Sequence, residues 1–258
     1  MGLSATEEKI FPRGMTPLGD SSFRFACHGG VACYTSCCRD LDMPLYPYDL
    51  LRLKQRLEID SETLLRRHTR LGAGSHPYFP AVKLRMADNE AALCPFLGPA
   101  GCTIYTDRPS ACRTYPLERA VDRSPARGRP EEYYFLTRHP YCLGHGEERS
   151  RTVREWLRDQ QLFDYNTMND LWAEVDTVFA GNPWRGEGAA GPRQQLAFMT
   201  CYNLDAFRRF TTETRLLDRF RMDRARRRDI ERDDRALLKF GFDWLKHHLA
   251  GLPSLTPG

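Results

Sequence analysis

Nine cysteines stand in this chain of 258 residues, and eight fall between Cys27 and Cys142, leaving only Cys201 in the last 116. Thiolates are the ligands of choice for zinc and for iron–sulfur clusters, so this concentration points to metal chemistry. The first group is Cys27-x5-Cys33-x3-Cys37-Cys38, and the second is Cys94-Pro95-Phe96-Leu97 with Cys102 and Cys112. The third is Cys142, inside His139-Pro140-Tyr141-Cys142-Leu143-Gly144-His145. Loop cysteines three or four positions apart can turn their sulfurs toward one centre, a rule that Cys33 and Cys37 fit. The wider gaps between Cys94, Cys102 and Cys112 suit a cluster, whose separated irons take ligands from several directions. Adjacent Cys37 and Cys38 are expected to point apart, one as a ligand while the other packs, or each toward a neighbouring site. His139 and His145 flank Cys142 at three-residue spacing and could complete a mixed Cys/His zinc site. Taken singly, each also reads as a surface or hydrogen-bonded histidine.

Two plainer accounts of the cysteines compete. Buried small hydrophobes are a frequent role for free cysteine, but most of these eight lie beside Gly, Pro and polar loop residues. Cys201, near Met199 and Tyr202 in an expected helix, fits that role. A disulfide framework needs an oxidising compartment. Met1–Asp20 shows no basic start followed by an apolar run, so no signal peptide is expected and the expected location is the cytoplasm. No run of 18 apolar residues occurs, so no membrane association is expected.

Around Cys112, Arg108 and Arg113 could offset the negative charge of a thiolate-held centre. Alternatively, Arg108-Pro109 simply starts a helical turn, with Asp107 capping or ion-pairing. The net charge of +4 arises from 38 basic and 34 acidic residues, which does not call for a nucleic-acid partner. Arg208 to Arg235 carries 11 Arg but also 7 acidic residues, so it reads as a solvated, ion-paired helix face. A protein partner or substrate is left unspecified.

The residues also carry a resemblance. Cys33-x3-Cys37-Cys38, then Cys94-Pro95-Phe96-Leu97, Gly101-Cys102-Thr103-Ile104-Tyr105 and Arg108-Pro109-x-x-Cys112-Arg113-x-Tyr115-Pro116 resemble the bacterial YkgJ-type cysteine-cluster family. The family is described as a zinc- or iron-chelating domain, and the similarity spans roughly residues 23–145. The first block departs from the usual C-x-x-C-x-x-C-C form, with gaps of five and three residues. Relatives include flagellin lysine N-methylases, for which the resemblance implies an iron–sulfur centre and S-adenosylmethionine. Only the cysteine positions carry over. Gly72-Ala73-Gly74 and Gly186-Glu187-Gly188 read as turns rather than a cofactor motif.

The elements that must position these residues are short in the first half. Pro47 marks a helix start, and Tyr46, Leu50, Leu53 and Leu57 follow as an amphipathic stripe. A second short helix from Asp60 or Ser61 carries Leu64 and Leu65. Val82 to Met86 alternates as a half-buried strand, and Asp88-Asn89 should turn the chain into a return strand that presents Cys94 at a hairpin end. Another strand is expected over Tyr133–Thr137. Pro95, Pro109 and Pro116 stiffen the ligand loops. Beyond residue 150, Thr152-x-x-Glu155 is a capping box before Trp156 and Leu157. Met168, Leu171, Trp172, Val175 and Phe179 mark a helix stopped by Gly181-Asn182-Pro183. Further helices are expected over roughly 193–221 and 224–249, the last with Leu238, Phe242, Leu245 and Leu249 on one face and Gly251 at its end.

The sequence therefore predicts an α+β protein with a cysteine-cluster region over 1–150 and a helical region over 151–258. The metal ligands expected are Cys33, Cys37, Cys38, Cys94, Cys102 and Cys112, with Cys27 and Cys142 as further candidates. An iron–sulfur cluster is favoured over zinc, in redox or protein-modification chemistry. The alternatives are an S-adenosylmethionine-dependent protein lysine N-methyltransferase and a zinc-stabilised interaction module without catalysis.

Overall fold

Short polar side chains cap the starts of five helices, at Asp60, Thr152, Asn203, Asp223 and Asp233. The computed structural model describes Phe11 and residues 15–123 and 130–258. Its elements in chain order are β1 (Ser22–Arg24), α1 (Pro47–Leu57), α2 (Ser61–His68), β2 (Thr69–Gly72), β3 (Ala81–Leu84), β4 (Leu97–Gly98), β5 (Gly101–Cys102) and α3 (Ser110–Thr114). Then follow β6 (Leu117–Asp122), β7 (Glu131–Leu136), β8 (Ser150–Thr152), α4 (Val153–Asp159), α5 (Leu162–Ala180), α6 (Pro192–Tyr202), α7 (Leu204–Glu213), α8 (Arg224–Arg232) and α9 (Asp234–Ala250). The described strands form two-stranded antiparallel sheets, so the class is α+β as the sequence predicts.

The chain divides into two compact units, each drawn from two separated stretches. The first combines Met1–Tyr34 with Thr114–Gln160, and the second combines Thr35–Arg113 with Gln161–Gly258. In the first, the β6–β7 hairpin and the β1–β8 pair surround Phe23, Phe25, Leu117, Phe135 and Trp156, all buried. The expected capping box is present: Thr152 Oγ1 accepts from the Glu155 N–H, and the Glu155 carboxylate accepts from the Thr152 N–H at 2.8 Å.

The second unit is mainly helical. On α5, Met168, Trp172, Val175 and Phe179 are buried at helical spacing, and they meet α9, which buries Leu238, Phe242 and Leu245. Burying each large apolar side chain contributes about 1.5–3 kcal/mol. The two long helices expected over 193–221 and 224–249 are each broken. Asn203 and Asp233 stop one helix and cap the next, accepting from the N–H groups of Ala206 and Ala236. Gly251, at φ +67°, closes α9 in the left-handed conformation that glycine adopts freely. The Arg-rich stretch is an ion-paired face: Arg208 meets Asp234, Arg227 meets Asp218 and Glu231, and Arg235 meets Asp164. Among the described residues no helix is long and apolar enough to cross a membrane.

The hairpin expected to present Cys94 is overturned. β3 pairs with β2, in register Thr69↔Leu84 to Gly72↔Ala81, rather than with a strand leading into Cys94. The reason lies at Thr69, where α2 passes directly into extended backbone and offers β3 its partner.

Candidate metal centre

Five thiols gather in the second unit, and backbone pairing brings them together. The Cys94 N–H donates to the Cys38 carbonyl at 2.9 Å, the Asp40 N–H donates to Ala92 at 3.0 Å, and Arg39 bridges Leu93. Segments 38–40 and 92–94 thus lie side by side. Cys102 sits on β5, whose turn from β4 requires Gly101 at φ +116°. Cys112 sits on α3.

The loop carrying Cys102 and Cys112 is held by one side of α1. Asp49, Arg52 and Arg56, spaced along one helix face, reach it at three points. Asp49 Oδ1 accepts the Ser110 N–H at 2.7 Å, Arg52 donates to Asp107 at 2.5 Å, and Arg56 donates to the Thr103 carbonyl at 3.1 Å. Asp107 is therefore an ion-pair partner. Asp49 is fully buried, and its Oδ2 also accepts the Tyr46 N–H at the start of α1. Burial raises its carboxyl to about 6, and the hydrogen bonds from Ser110 and Tyr46 keep it from rising further.

The thiols sense one another. Cys37 is lowered to about 6 because the neighbouring Cys38 thiol hydrogen-bonds to it, and the same bond drives Cys38 strongly upward. The bond thus favours the thiolate on Cys37 and the thiol on Cys38. Cys112 keeps part of its surface in solvent, but protein atoms crowd its sulfur. That burial, with the like charges of Cys94, Cys37 and Cys102, pushes it up to about 12. Burial also raises Cys94 and Cys102, with a backbone hydrogen bond opposing it in each case. The Arg108 guanidinium favours the thiolate at Cys102. It is itself buried, donates to the Tyr105 carbonyl at 2.6 Å and lies 3.8 Å from the centroid of the Tyr105 ring. Arg113 is buried over the Tyr165 ring at 4.7 Å. Among the described residues, no three or more His, Cys, Asp or Glu side chains stand in an arrangement for a metal ion.

Adjacent Cys37 and Cys38 do not point apart as expected. Opposed side chains belong to extended backbone, whereas these residues lie in a turn in which Thr35 has φ +66° and the Cys38 N–H donates to Thr35.

Cys27, Cys33 and Cys142 belong to the first unit. The Leu143 N–H donates to Cys33 Sγ at 3.1 Å, and the Ala26 N–H donates to Gly144 at 3.1 Å. Gly144 is required there, since a Cβ would stand 2.5 Å from the Ala26 carbonyl oxygen. Cys142 hydrogen-bonds the Tyr115 hydroxyl, which after burial is the next cause of that group's upward shift. His139 stacks on Tyr115 and Tyr141, with ring centroids 5.4 and 5.2 Å apart, and His145 Nε2 lies 3.3 Å from the Tyr115 hydroxyl. Cys201 is buried within α6, as expected for a core residue.

Sequence reasoning missed Asp49. Its position three residues into a Pro-started helix marks an acid that can cap the first turn, and Tyr46 uses it so. Its partner Ser110, distant in sequence, carries no such signal.

Residues 26–143, a little under half of the chain, match the family model CxxCxxCC, described as a "putative zinc- or iron-chelating domain". Over this segment the chain is similar to that domain. All eight candidate ligands, Cys27 to Cys142, lie within the match. No curated protein and no solved structure matches the chain. Metal binding is the function this similarity supports, with zinc and iron both within the description of the matched domain.

Proposed function

We propose that the second unit holds an iron–sulfur cluster on Cys37, Cys94, Cys102 and Cys112, in redox or protein-modification chemistry. The observation that carries this reading is that backbone pairing joins the segments bearing these thiols: the Cys94 N–H donates to the Cys38 carbonyl and the Thr103 N–H to the Phe96 carbonyl, each at 2.9 Å. A cluster needs ligands from several directions, and a buried arginine beside two of the sulfurs offsets the negative charge of a four-thiolate centre. The donor set fits the group in its chemistry: thiolates are its common ligands, and the hydrogen bond from Cys38 favours the thiolate on Cys37. When bound, such a cluster supplies one-electron transfer or an acidic iron site. This chain's own contribution is to position the loop carrying Cys102 and Cys112 through Asp49, Arg52 and Arg56. Cys27, Cys33 and Cys142 are proposed as further ligands on the first unit.

Anaerobically purified protein is expected to be brown and to contain iron with acid-labile sulfide. Alanine at Cys102 or Cys112 should abolish both, whereas Cys201→Ala should retain them. A colourless, folded protein with stoichiometric zinc and no sulfide would overturn the cluster reading.

A further inference from the structure

A cavity of about 360 Å³ opens in the second unit, between α5, α6 and the stretch from Asp42 to Lys83. Its volume falls in the range of small-molecule sites, which are typically apolar with a few convergent polar groups. The buried rings of Phe79, Trp172 and Tyr202 line it together with Leu45 and Val82. Two carboxylates also line it, and they differ in how far they are neutralised. Asp42 accepts from both Lys83, at 2.5 Å, and Arg70, at 2.7 Å. Asp176 accepts from the Ser75 hydroxyl at 2.8 Å, and its ionic partner is His76, at 3.2 Å, which carries charge only when protonated. Asp176 stands one turn beyond Trp172 on α5, so the carboxylate and the indole share a face. Its negative field reaches into the cavity: after burial, Asp176 is among the charges that raise the hydroxyls of Tyr46 and Tyr202.

We propose that this cavity binds a small organic amine, its ammonium on Asp176 and its apolar body against Trp172 and Phe79. An ammonium supplies the permanent positive charge that Asp176 lacks, and the aromatic walls favour both a cation and an apolar stem. An anionic ligand is disfavoured because Lys83 is already engaged by Asp42. This inference uses none of the candidate metal ligands.

The test is titration of the full-length, metal-loaded protein with phenethylamine, followed by tryptophan fluorescence and calorimetry. Saturable binding is expected, at least about tenfold tighter than for 2-phenylethanol, which has the same body without the charge, and tighter than for 3-phenylpropionate. Asp176→Asn, which keeps an acceptor for Ser75, should remove the preference for the amine while leaving the thermal melt and the metal content unchanged. Equal binding of the alcohol, preference for the carboxylate, or no saturation by ~10 mM amine would each overturn the proposal. The ligand comparison is made on the natural chain, so it decides the matter even if the variant misfolds. Failure of amine binding with the metal retained leaves the cluster reading intact, and loss of metal with amine binding retained does the converse.

Discussion

At the scale of single residues, the site rests on one carboxylate as much as on the cysteines. Asp49 takes backbone N–H groups from Tyr46 and Ser110, and removing it leaves the part-buried Tyr46 donor and the buried Ser110 donor without their acceptor. Asp49→Ala should therefore cost about 2–4 kcal/mol in urea unfolding and also release the metal, because Ser110 opens the short helix that carries Cys112. Cys201→Ala makes the contrasting case: about 1–2 kcal/mol of lost packing with metal content unchanged, measured by the same melt and by metal analysis. The cysteines were legible in the sequence because their chemistry resides in the residue type, and spacing alone separates ligands from core. Asp49 was legible only as an acid in a helix's first turn. Its larger role depends on a contact with Ser110, 61 residues away, and local patterns carry no record of such a contact.

At the scale of elements, capping decides where helices end, and the polar pair at the α7 start joins three of them. Asp205 accepts from Lys54 on α1 at 2.7 Å and from the Ser61 N–H at the start of α2 at 2.6 Å. Burial alone would raise its carboxyl, but these bonds outweigh it and hold the group below its ordinary value of 3.8. A depressed folded-state value means the contribution is present above about pH 4 and lost as pH falls through the lower folded value. The stability gap between the natural chain and Asp205→Asn should thus be about 1–2 kcal/mol near neutrality and narrow as unfolding is measured at pH values falling below about 4. Gly101→Ala should strain the β4–β5 turn by about 1–2 kcal/mol, weakening metal retention at Cys102 without disturbing the helical core. Hydrophobic period and capping boxes made α1, α2, α4, α5 and β3 readable. The partner of β3 was not, because strand pairing is chosen by which extended segment lies nearby, and Thr69 delivers one straight from α2.

At the scale of the whole molecule, the matched family segment does not contain all the core that supports its own cysteines. α1, which braces the Cys102–Cys112 loop, packs on α5, α6 and α9, all beyond residue 143. A chain ending at Gln160 should therefore fail to retain metal and expose the buried face of Leu50, Leu51 and Leu53, checked by dye binding and iron analysis. The helical half is thus part of the site's architecture, a relation that linear composition cannot register because both units are discontinuous in sequence. Discontinuity also fixes an order of events during synthesis. Cys37 through Cys112 leave the ribosome well before α5 to α9, yet the second unit cannot close its core until those helices have followed. For that interval the thiols travel on an unfinished scaffold, open to oxidation and to mispaired metals. Completion of that scaffold therefore waits on the last helix, so a discontinuous unit displays its thiols for longer than a domain made from one continuous stretch would.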